Sequence, residues 1–172
     1  MSHMINLYKL TSGHVVKIQM EHIQEALTSL TSEDWSDYFG GDVSVNFKDL
    51  EPIQVERLQS TKKKSFFSRK SKSKEIAFES NEQEIDADEN SIAFIRPQKG
   101  FENAMFELMN KLELIAIRDE SFAEIPEAIL STFPLTQNQI PAEIDTMPTK
   151  DMRLIHIKTP DELLRSLHDP LS

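Results

Sequence analysis

The chain has 172 residues, no cysteine and a formal net charge of −10. That length suits one domain whose core needs neither disulfides nor metals, and the absence of thiols excludes a disulfide framework, a cysteine nucleophile and sulfur-ligated zinc. The negative balance opposes general affinity for nucleic acid, whose phosphates it repels, and suits a basic partner.

Ile5, Leu7 and Leu10 predict a first strand, Thr11-Ser12-Gly13-His14 a tight turn, and Val15, Val16 and Ile18 a second strand. Met20, Ile23, Leu27 and Leu30 recur at helical steps, so 20–30 is expected to be an amphipathic helix. Ser32 as N-cap, followed by Glu33 and Asp34, predicts a short second helix that stops at Gly40-Gly41. That helix would pack Trp35, Tyr38 and Phe39 against the sheet as ordinary core. Val43, Val45 and Phe47 then alternate along a strand.

Residues 62–74 hold seven of the nineteen basic side chains, and 75–89 answer with seven acids and no base. No apolar period is sustained there apart from Ile76-Ala77-Phe78, which reads as a strand end rising out of the loop, so 59–90 is expected to be a flexible, charge-segregated insertion. Order resumes with a strand at Ile92–Ile95, a turn at Pro97 and Gly100, and a helix on Phe101, Ala104, Met105, Leu108 and Leu112. Leu114–Ile117 reads as a buried strand, a parallel neighbour of the previous one if the crossover is complete. Between Pro126 and Thr132 a helical turn fits, with Pro126 at its start. Beyond Pro134 the prolines at 141 and 148 predict an extended surface wrap. Met152–Ile157 makes a last strand, and Thr159-Pro160-Asp161-Glu162 opens a final helix with a capping box.

The sum is one α+β domain over 4–172: a mixed sheet of about five or six strands, three main helices at 20–30, 101–112 and 160–168, and the long charged insertion. No apolar run approaches the roughly 18 residues that span a bilayer. No signal peptide is legible, and Met1-Ser2-His3-Met4 reads as a cloning remnant before a native Met4. The expected location is the cytoplasm.

Chemistry is sparse. Four glycines allow neither a phosphate loop nor a dinucleotide fingerprint. His22 faces Glu25 one helical turn on, an ordinary surface pairing. Glu84, Asp86 and Asp88 alternate as calcium ligands would, but the central glycine of an EF-hand loop is missing. No metal, cofactor or catalytic residue is therefore assigned. In the basic run, Lys62, Lys63, Lys64, Phe66, Phe67, Arg69 and Lys70 mix cations with aromatics. Anionic lipid uses that mixture at about 1 kcal/mol per lysine, and single strands of nucleic acid stack on it. In composition it resembles the effector segments of membrane electrostatic-switch proteins. The equal acidic run that follows opposes a polyanion, so nucleic acid is disfavoured and a membrane surface ranks below a protein partner.

The leading reading is a non-enzymatic acidic module that binds a basic protein, as an inhibitor or bacterial immunity protein does. Its expected contacts are Trp35, Asp37, Tyr38, Glu82, Glu84, Asp86 and Asp88. The alternatives are an acidic secretion chaperone or adaptor, an enzyme built from scattered acids and histidines, and a peripheral membrane or scaffold protein using Lys62–Lys74.

Overall fold

The computed structural model describes residues 4–58, 74–118 and 127–168. Its organising element is β1 (Met4–Thr11), which alternates faces: Ile5 and Leu7 point to one side of the sheet and Tyr8 to the other. Ser12 and Gly13 both take positive φ, the geometry of a two-residue hairpin turn, and return the chain into β2 (His14–Val16). α1 (Met20–Leu30) follows with the predicted bounds and buries Ile23, Ala26 and Leu27.

The predicted second helix does not form. Residues 31–40 run as bends and a turn, because Thr31 ends α1 by donating its hydroxyl to the Leu27 carbonyl at 2.8 Å and accepting the Trp35 indole N–H at 2.9 Å. These local side-chain bonds compete with a new helix. β3 (Gly41–Val45) comes next and pairs with β6 (Gln83–Ala87). Between them, β4 (Ile53–Leu58) and β5 (Lys74–Glu79) pair with each other as a separate two-stranded sheet. Of the insertion expected at 59–90, residues 59–73 lie outside the described residues, and much of the rest is regular structure. β6 is a strand of the main sheet, with Gln83, Ile85 and Ala87 at 0 % exposure. Its acids alternate with its buried residues, a period-two pattern hidden under the charge count.

β7 (Ile92–Ile95), α2 (Phe101–Leu112) and β8 (Leu114–Arg118) match their predicted positions. The two strands are parallel but not adjacent, since β1 lies between them and is antiparallel to both. The chain then makes β9 (Ala128–Ser131), buried throughout, where a helical turn was expected. Its four buried residues are the outer rail of β8, and burial on both faces overrides the local proline signal. The wrap beyond Pro134 is extended as expected, with a short 3-10 turn at Gln137–Gln139 and a tiny hairpin of β10 (Glu143–Ile144) and β11 (Met147–Pro148). β12 (Arg153–His156) adds parallel to β9, and α3 (Pro160–His168) closes the fold.

Among the described residues the main sheet has eight strands, more than the five or six expected, in the order β12-β9-β8-β1-β7-β6-β3 with β2 beside β1. Its helix side carries the larger core, with α2 between α1 and α3 over Leu7, Phe94, Leu114 and Leu130. The other face is covered by the wrap over Tyr8, Ile115, Ile117 and Ile129. That cover lies on the β1, β8 and β9 side of the sheet. The outward acids of β6 and β3 remain in contact with solvent.

At α3, Thr159 caps as predicted, accepting the Glu162 N–H at 3.1 Å. Glu162 reaches back one residue further than a capping box requires, accepting the Lys158 N–H at 2.8 Å. Among the described residues no helix is long and apolar enough to cross a membrane. Thr159→Ala is expected to lose about 1 kcal/mol. Leu108→Ala, at the fully buried centre of α2, is expected to lose about 2–5 kcal/mol in urea unfolding, against the small loss typical of a surface change.

Candidate functional site

The acids of β6 and β3 meet on the outward side of the sheet edge. Antiparallel pairing sets Asp42 opposite Asp86 and Ser44 opposite Glu84. Side chains directly opposite lie roughly 5 Å apart at Cβ, so a like-charged pair destabilises the sheet. When Asp42 holds its proton it can donate it to Glu84; that interaction first, then burial and the charges of Glu84 and Asp86, raise its carboxyl above the ordinary 3.8. Glu84 moves the other way, held below 4.5 by the bond from Asp42 and by Arg96. The Arg96 guanidinium donates to Glu84 at 2.8 Å. Arg96 can neutralise one of these carboxylates, and the Asp42–Asp86 opposition remains.

β6 holds its place through a residue that sequence reading passed over. Gln83 is fully buried and donates to the Glu84 and Ile95 carbonyls, both at 2.9 Å, while its own carbonyl accepts the Gln98 N–H at 2.8 Å. A buried amide has to be satisfied in this way. It clamps β6 to β7 and fixes which face Glu84 and Asp86 occupy. The only sequence signal was its position, two residues before Ile85 in an alternating run.

Tyr38 lies beside the acids. Its hydroxyl donates to the Gly41 carbonyl at 2.6 Å, and its ring meets Trp35 edge-on with centroids 5.6 Å apart. Burial is the main reason its phenol is held above 10.0; the nearby carboxylates Asp86, Asp42 and Asp88 add to the shift and a hydrogen bond with the Ala87 backbone opposes it. Gly40 makes this approach possible: it has a φ of 103°, and a Cβ there would sit 2.8 Å from the Ala87 carbonyl oxygen. Phe39, expected to pack inward, is 78 % exposed. The turn that replaces the second helix leaves it facing solvent.

The predicted contacts thus divide. Tyr38, Glu84 and Asp86 come together, joined by Asp42, which charge counting had missed because it lies forty-odd residues away in sequence. Asp88 stands at the end of the same face, but its carboxylate accepts the backbone N–H groups of Asn90 and Ser91 and shapes the turn into β7. Trp35 is buried and supports Tyr38 from behind. Asp37, on a turn, and Glu82, just before β6, are exposed and outside the group whose charges act on Tyr38. Lys62, Lys63, Lys64, Phe66, Phe67, Arg69 and Lys70 lie outside the described residues.

A concavity of about 410 Å³ sits between α1 and the end of α2, lined in part by Lys9, His22, Glu25, Ser29, Lys111 and Glu113. Lys9 is tied there to the Leu112 carbonyl at 3.1 Å. Two cations and two carboxylates balance one another, so the cleft favours no charge. His14 and His156 are exposed elsewhere. Among the described residues no three His, Asp or Glu side chains gather as a metal-holding group. No protein-family model, curated protein or solved structure matches the chain.

The Tyr38 environment is open to direct titration. In a Tyr8→Phe background, Tyr38 is the remaining tyrosine, and its tyrosinate absorbance should appear at a midpoint above 10. The folded state holds the phenol proton longer than the unfolded chain, so this group's contribution to stability is present below 10 and is lost as pH rises through the folded value. Asp86→Asn should bring the midpoint down. An unchanged midpoint would separate Tyr38 from the acids.

Proposed function

We propose that this chain is a non-enzymatic binding protein of the inhibitor or immunity type, working in the cytoplasm, whose acidic strand face holds a basic protein partner. One observation carries the reading: Asp42 and Asp86 oppose each other across β3 and β6 on a face that solvent reaches. Like charges in register weaken an isolated sheet. A cation placed over them turns that repulsion into attraction. Around the acids, half-buried Tyr38 and exposed Phe39 supply aromatic surface of the kind that anchors interfaces.

Electrostatics of this sort acts mainly on encounter. Opposite charge on two surfaces speeds association and fixes register, and salt weakens it over a Debye length of about 8 Å at physiological ionic strength. The partner should therefore bind quickly at low salt and lose rate as salt rises. Acidification should act in the same direction, because the raised carboxyl of Asp42 regains its proton earlier than an ordinary aspartate.

The double substitution Asp42→Asn with Asp86→Asn tests this with two readouts of opposite sign. Association with a purified basic partner should slow by about tenfold at low salt, with a smaller change in dissociation. The fold should be more stable at neutral pH. Asp42 has its carboxyl raised in the folded state, so its contribution is present below 3.8 and is lost as pH rises through the folded value. Asparagine keeps a donor for Glu84 and removes the repulsion. An unchanged association rate in a folded variant would rule out the acidic face as the docking site.

A further inference from the structure

We infer that the partner docks by strand addition: an extended segment with lysine or arginine at alternate positions pairs along the open edge of β3. This rests on the acidic-face reading above and names how that face is read. β3 ends the strand order, and among the described residues its strand partner is β6 alone. Gly41, Asp42 and Ser44 are exposed, and a Cβ placed on Gly41 would meet nothing within 4 Å. Phe39 stands exposed just before this strand.

A bare edge strand is a template for any other strand, and proteins commonly protect such edges with charge. Here the protecting charges have one sign. Asp42 lies on the edge strand, with Glu84 and Asp86 immediately behind it on β6. A neutral or acidic strand laid beside β3 would gain main-chain hydrogen bonds but set its outward side chains against these carboxylates. A basic strand would gain the same hydrogen bonds and relieve the Asp42–Asp86 repulsion. The edge is therefore selective rather than closed. Main-chain pairing supplies the affinity and alternate side chains the specificity.

The inward phase of the added strand follows from β3 itself. Val45 is fully buried and Val43 half-buried on the helix side, so the positions between the basic residues should be apolar and β-branched to extend that layer. The fitting occupant alternates cation and valine-like residues over about five positions, the length of β3.

Three peptides of about eight residues, a usual strand length, serve as probes. One alternates lysine and valine. Two copies of it carry backbone N-methyl groups on every second residue, in the two possible phases, which blocks one hydrogen-bonding edge without altering charge. Binding is read by fluorescence anisotropy at low salt to the full chain, to Asp42→Asn/Asp86→Asn, and by amide hydrogen exchange over Gly41–Val45. Strand addition predicts that the unmodified peptide binds and slows β3 exchange, and that at least one methylated phase binds tenfold or more weakly. The double substitution should weaken the unmodified peptide by a similar factor. Equal binding of all three peptides with unchanged β3 exchange would overturn strand addition while leaving the acidic-face reading intact. Binding that ignores the double substitution would overturn both. No binding of the unmodified peptide would overturn strand addition.

Discussion

The fold depends on β1 being paired along both edges and buried on both faces. Ile5 and Leu7 face the helices, Tyr8 faces the wrap, and the strand links β7, β8 and β2 into one sheet. Because β7 and β8 flank it in parallel, α2 has to cross over β1, which sets the helix layer over the middle of the sheet. The cover differs on the two sides of β1. On one side β9 and β12 gain the wrap; on the other, β6 and β3 have helices beneath them and solvent above. The candidate site sits at the end where that cover runs out.

That position explains how a destabilising arrangement persists. Carboxylates in register would be poorly tolerated in a buried strand, where an unpaired charge is strongly disfavoured. On an outward face in water the repulsion is screened, and Arg96 offsets the charge of Glu84 beside them. The clamp made by Gln83 keeps the register fixed, so the acids cannot escape one another by a one-residue slip, which would send them into the core.

Much of this was legible in the sequence, and the misses share physical causes. α1, α2 and α3 were readable because their buried stripes recur at helical spacing and Thr159 marks a start. β6 was hidden because composition dominates the eye: five acids surround Gln83, Ile85 and Ala87, yet those three carry the period that matters. β9 was hidden because a strand buried on both faces has no alternation to detect, and Pro126 nearby argued for a helix. The short helix predicted after Ser32 failed through side-chain bonding at Thr31 that no periodicity reveals. Within the site, acidity was visible, but the pairing of Asp42 with Asp86 is a product of tertiary register and has no local sign.

The cleft between α1 and α2 is the natural competitor for function, since it is concave and holds Lys9, His22 and Lys111. The two surfaces lie on different parts of the molecule, which makes a footprint decisive. Hydrogen exchange of the chain with and without a purified basic partner should show protection in Gly41–Val45 and Gln83–Asp88. Protection confined to α1 and the end of α2, with β3 and β6 unchanged, would contradict the account.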